Sequence, residues 1–124
     1  MTNMQSSMNA KIPKKIIEEI YHSSKKIYGK SLILLWKEAE KKNTSKILIS
    51  VPKKKIKKAV DRNYIKRIIR EICREMNNNA FASMSKPIWL ILIYNKTTKP
   101  KFNKLNIELS NLFQTLMNNI NENN

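Results

Sequence analysis

Four arginines, Arg62, Arg67, Arg70 and Arg74, stand within the stretch "AVDRNYIKRIIREICREM" (residues 59–76), and none of the chain's other basic residues is an arginine. These are the side chains whose type and spacing could do chemistry, and the chemistry is anion recognition. A guanidinium fork grips two phosphate oxygens at once and also stacks on bases. Asn63, set among them, offers a neutral donor and acceptor for a base edge or a ribose hydroxyl. Sets suited to bond-breaking are sparse by comparison. The chain has one aspartate (Asp61, inside the cationic run), one histidine (His22) and one cysteine (Cys73), and Glu18 and Glu19 are neighbours that splay apart on a helix. A protein nuclease needs positioned carboxylates for metal ions or a histidine acid–base pair, so no catalytic residue and no metal ligand is assigned. Cys73 has no partner for a disulfide or a zinc site and reads as a small core residue in a reducing compartment.

The element that must position the arginines is a helix. Advancing about 100° per residue, Ile65, Ile68, Ile69, Ile72 and Met76 fall within an arc of roughly 100°, the width of a core-facing stripe. Asn63, Lys66, Arg67, Arg70 and Arg74 fall on the far side, with Arg62 nearer the border. Just upstream, "KKKIKK" places Lys53, Lys54, Lys55, Lys57 and Lys58 beside the helix N-terminus, an end that favours anions. From Lys53 to Arg74, ten cations stand against two carboxylates, Asp61 and Glu71, a net +8 and half of the chain's +16. Intrahelical pairs such as Arg67–Glu71 are too few to neutralise this face. A codon bias towards Lys, Asn and Ile would tend to remove arginine, so the four that stand together are the stronger signal.

With 124 residues and 41% hydrophobic content, one core is expected. A net charge of +16 and a pI near 10.1 favour a polyanionic partner: RNA, DNA or an anionic membrane surface. Membrane-surface binding would need apolar residues exposed beside the lysines, whereas these isoleucines are needed inside. "LILLW" and "IWLILIY" are too short to span a bilayer, and "MTNMQSSMNAKIPKK" is no secretory signal. The expectation is a cytoplasmic protein with no membrane partner. A DNA-reading helix-turn-helix would need a second short helix before the basic one, and none is visible.

Residues 1–12 read as a disordered tail, 13–119 as a single RNA-binding α+β domain, and 120–124 as a second tail. A helix begins near Pro13, carrying Ile16, Ile17, Ile20 and Tyr21, and Gly29 reads as closing the turn after it. "KSLILLWKEA" and "SKILISVP" read as two antiparallel strands of a hairpin. "IWLILIY" reads as a central buried strand. Leu105, Leu109, Leu112, Phe113 and Leu116 share one face of a closing helix. The order is α-β-β-α-β-α, a small sheet with helices mainly on one face.

The run "KKIKKAVDRNYIKRIIRE" (54–71) resembles the signature of the bacterial ribonuclease P protein subunit, with Ala59, Val60, Arg62, Asn63, Lys66, Arg67, Arg70 and Glu71 in register. The order of elements from about residue 13 to 117 follows that family as well. The resemblance implies a mixed sheet with a left-handed βαβ crossover, against the usual right-handed rule. It also implies a protein that serves a catalytic RNA in removing the 5′ leader of precursor tRNA. The partners would be ribonuclease P RNA and precursor tRNA, with no obligate protein partner. Mg2+ would be held mainly by the RNA, with none bound by the protein alone. The RNA-facing set is then Lys53, Lys54, Lys55, Lys58, Arg62, Asn63, Lys66, Arg67, Arg70 and Arg74, and a leader cleft between the first helix and the sheet would use Ile17 and Tyr21. Three positions depart from the family pattern. Tyr64 replaces the last arginine of Arg-Asn-Arg, Lys57 replaces a glycine, and Ile17 stands where an aromatic is usual. The reading from another class is a structural RNA-binding protein of ribosomal type with no part in cleavage.

Overall fold

Seven elements form in the computed structural model, which describes residues 12–23, 25–39, 45–79 and 87–122. They are α1 (Lys14–His22), β1 (Lys26–Tyr28), β2 (Leu32–Glu38), β3 (Lys46–Ser50), α2 (Ala59–Asn79), β4 (Ile88–Tyr94) and α3 (Phe102–Glu122). The first helix stops at His22 because Ser23 turns extended (φ −69°, ψ 148°), its N–H still reaching Ile20 O at 3.1 Å. Strand β1, absent from the sequence reading, follows at once. Its three residues turn only Ile27 inward, too short an alternation to register as a pattern.

The sheet is mixed, in the order β1-β2-β4-β3. β2 runs antiparallel to both β1 and β4, and β3 runs parallel to β4. The expected hairpin between β2 and β3 therefore does not form, because β4 lies between them. The reason is in β4 itself: "IWLILIY" is buried at six of its seven positions, on both faces. A strand apolar on both faces gains most where neighbours bond both edges and helices cover both sides. Helix α2 is the crossover between parallel β3 and β4.

Alternation along the strands sorts the core into two layers. Leu32, Leu34, Trp36, Ile47, Leu90, Leu92 and Tyr94 meet the seams of α2 and α3. Leu35, Trp89 and Ile91, with half-buried Ile33, Leu48 and Ile93, meet Ile12, Ile16, Ile17 and Ile20 at α1. The closing-helix residues Leu105, Leu109, Leu112, Phe113 and Leu116 are all buried. Packing also reaches one residue past the boundaries read above, since Ile12 and Ile120 are buried, while residues 1–11 and 123–124 lie outside the described set.

Gly29 does not close the turn after α1, because β1 stands between them. It joins β1 to β2, and a Cβ there would sit 2.5 Å from Glu108 Oε2. That oxygen accepts the N–H groups of Ser31 and Leu32, each at 2.8 Å, tying α3 to the connection.

Candidate nucleic-acid interface

Helix α2 divides as the wheel predicts. Ile65, Ile68, Ile69, Ile72 and Cys73 are buried against the sheet and α3, with Met76 half-buried beside them. Asn63, Arg67 and Arg74 are exposed, and Lys66 and Arg70 are half-buried on the outer side. The approach to the helix is pinned by Val51 and Ile56, both buried. Between them a turn closes on Pro52 O, which accepts from Lys55 N at 3.0 Å and Ile56 N at 3.1 Å. Lys53, Lys54, Lys57 and Lys58 are thereby exposed and Lys55 half-exposed beside the start of α2.

Among the described residues, no ion pair takes Lys53, Lys54, Lys55, Lys58, Lys66, Arg67, Arg70 or Arg74, and Arg67 does not pair with Glu71. Asp61, at the start of the helix, is held by Lys99 at 3.2 Å. The face is cationic and not neutralised from within.

Arg62 differs from the other three arginines. One of its terminal nitrogens donates to Ile56 O at 3.0 Å and to Lys57 O at 2.7 Å, so it clasps the segment that enters the helix. The sequence showed it near the border of the wheel but gave no sign of this bond. Arg67 also has an internal neighbour, its guanidinium carbon standing 5.7 Å from the centre of the Tyr64 ring.

Ile17 and Tyr21 are not brought to this surface. They belong to α1, on the opposite side of the sheet from α2. Ile17 is half-buried against the second core cluster, and Tyr21 is 45% exposed. The strand residues beside them are Ile33, Leu35 and Leu48, and also Trp89, Ile91 and Ile93 of β4, which the sequence reading did not place there. The signal was the parity of "IWLILIY": once β4 is central, its odd-numbered residues must face α1. Tyr28, 70% exposed, sits opposite Ile33 in the register and extends this face to the sheet edge. Lys46 stands with its amino group 5.5 Å from the Trp89 ring centre, and Lys37 pairs with Glu19 at 3.5 Å. The result is a half-covered apolar trough with cations beside it.

Among the described residues, no three His, Cys, Asp or Glu side chains come together as a metal cage. His22 is exposed at the end of α1. Cys73 is buried, and that burial pushes its thiol up to about 12 even though Arg70 pulls the other way. A thiol so held is no nucleophile. No described helix is long and apolar enough to cross a membrane.

The fold is shared with known proteins. The model of a family described as Ribonuclease P matches residues 12–117. No curated protein matches the sequence. Among solved structures, the Staphylococcus aureus RNase P protein is similar with a TM-score of 0.70 at 20% identity, over 86% of this chain and 93% of that one. A mutant of the S. aureus protein with defective mRNA degradation activity gives 0.74 at 19% identity, over 93% and 92%. The RNase P protein from Thermotoga maritima gives 0.65 at 23% identity, over 80% and 89%. At these identities the structural likeness is one of fold.

Proposed function

This chain belongs to the ribonuclease P family as its protein subunit, and we propose that it holds the catalytic RNA with the outer face of α2 while the trough beside α1 receives the 5′ leader of precursor tRNA. The observation that carries the first half is the cationic face of α2, without ion pairs from Lys66, Arg67, Arg70 or Arg74 among the described residues and backed by a buried isoleucine seam. A surface that repels itself in isolation is stabilised by a polyanion. The second half rests on the half-covered apolar residues around α1, which a single strand with splayed bases can use.

In this reading the protein acts by position and charge. It neutralises phosphates of the RNA core and grips a leader that the product lacks, so precursor is bound in preference to mature tRNA. Bond-breaking belongs to the RNA. The magnesium that the family implies finds no cage among the described residues, and Asp61 is committed to Lys99, so no step is assigned to the protein through a metal.

The test is reconstitution of the full chain with a bacterial ribonuclease P RNA and 5′-labelled precursor tRNA at low magnesium. Cleavage at the mature 5′ end that requires both components is expected. RNA binding without stimulation of cleavage would overturn the subunit role in favour of a purely structural RNA-binding protein. Affinity should also fall steeply with salt, by about two to four powers of ten between 50 and 200 mM if roughly five to eight phosphates are contacted. A flat salt dependence would remove the phosphate-contact model.

A further inference from the structure

The cationic face of α2 contains one element that charge alone does not explain. Val60 is 70% exposed and Tyr64 40% exposed, one helical turn apart on the same row. Beside them the β4–α3 connection brings up Lys99 and Pro100, held against the helix by the Lys99–Asp61 pair at 3.2 Å. Together with Asn63 and Arg67 these residues line a notch of about 400 Å³. Its wall combines an aromatic ring, a guanidinium 5.7 Å from that ring's centre, two small apolar side chains and an amide. The ring of Tyr64 and the side chain of Val60 belong to neither core cluster.

We propose that this notch takes a single unstacked base of the ribonuclease P RNA, with Tyr64 as its stacking platform. The inference rests on the subunit reading and deepens it. The chemistry is that of single-strand recognition: an aromatic face and an arginine plane accept any base, and the neighbouring cations hold its phosphate. Asn63 lies where a carboxamide can meet the base edge. The carboxylate of Asp61, which would repel a phosphate, is offset by Lys99. Charge complementarity commits the site to a polyanion, since the notch opens within the segment that carries half of the chain's net charge, and the subunit reading makes that polyanion RNA.

The experiment measures equilibrium binding of the full chain to a bacterial ribonuclease P RNA, across a salt series, for the wild type, Tyr64→Ala, Tyr64→Leu, Tyr64→Phe and Arg70→Ala. Urea melts run alongside to show that each variant is folded. Losing a base–aromatic stack should weaken binding roughly 5- to 150-fold. Tyr64→Ala and Tyr64→Leu are both expected to show that loss with the salt slope unchanged, because no phosphate contact is removed. Tyr64→Phe, which keeps the ring, is expected to retain most of the affinity. Arg70→Ala, outside the notch, is expected to lose affinity and about one unit of salt slope. If Tyr64→Leu or Tyr64→Ala binds within about twofold of wild type while Arg70→Ala behaves as stated, the base notch is wrong and the subunit reading stands. If Tyr64→Phe falls with them, the hydroxyl and not the stack is the contact, and the proposal is likewise overturned. If the wild type binds this RNA no better than an unrelated RNA of equal length, the subunit reading fails and takes the notch with it.

Discussion

Replacing Gly29 with alanine tests how α3 is fastened to the sheet, and the answer should depend on Glu108. The backbone at Gly29 does not need a positive φ, so an alanine meets no conformational barrier there. The obstacle is contact: the new Cβ would stand 2.5 Å from Glu108 Oε2 and 3.2 Å from Leu32 O. Glu108 ends in a flexible side chain, but its oxygen accepts two N–H groups at 2.8 Å, one of them from fully buried Leu32. Moving it forfeits much of two charge-assisted bonds, each worth about 1.5–3 kcal/mol when buried and less at this partly buried site. Against that, alanine lowers unfolded-state entropy, a gain of about 0.4–1 kcal/mol. Gly29→Ala should therefore destabilise by about 1–2 kcal/mol, and Glu108→Ala by about 2–3 kcal/mol. In the Glu108→Ala background the carboxylate is gone, so adding Gly29→Ala should cost close to nothing. The cycle predicts a coupling of about 1–2 kcal/mol, read from urea melts with a common m-value. Additive costs, within about 0.5 kcal/mol, would refute the idea that Gly29 exists to admit that carboxylate.

Three other outcomes follow from the geometry. Arg67→Ala should weaken RNA binding and flatten the salt slope by about one while leaving the melt within about 0.5 kcal/mol of wild type, since the side chain faces away from the isoleucine seam; an unfolded variant would show that α2 is wrongly oriented. Arg62→Ala should instead cost about 1–2 kcal/mol of stability, because it abandons the carbonyls of Ile56 and Lys57; an unchanged melt would place Arg62 with the other arginines. Cys73 should resist thiol reagents in the native state. Its folded pKa of about 12 lies above the unfolded 9.0, so the stabilisation is complete below pH 9 and is lost as pH rises from 9 towards 12. Tyr94, raised by burial and by the Glu108 carboxylate, acts with the same sign. The stability advantage of wild type over Cys73→Ala should narrow across that range, and an advantage that widens would contradict the burial of the thiol.

Elements that announce themselves by a long period were legible in the chain. The isoleucine seam of α2 and the leucine face of α3 are buried position for position as the wheel places them. Topology was less legible, because strand order depends on which strand most needs two neighbours. Both faces of β4 are apolar, and that comparison between strands is not contained in any one of them. Gly29 was misassigned for a similar reason. The carboxylate that crowds it comes from Glu108, far away in sequence, and no local pattern can reveal it. The trough beside α1 was half visible: Ile17 and Tyr21 were named from a family resemblance, while the β4 residues that share it appear only once β4 is central.

Why a lysine-rich chain keeps its arginines on one helix now has a geometric answer as well as an electrostatic one. Attraction to an aromatic face does not require arginine here, since Lys25 stands 4.7 Å from the Trp36 ring centre and Lys46 5.5 Å from that of Trp89. What lysine lacks is a planar fork with fixed donor directions. Arg62 holds Ile56 O and Lys57 O from a single nitrogen at the end of a rigid plane, and its charge remains beside the lysines of the approach. Arg67 sets its guanidinium near the Tyr64 ring and is itself exposed. An ammonium at either position would supply the charge but not the planar fork. Two of the four arginines, Arg62 and Arg67, thus add directed contacts to the charge that all four bring to this surface.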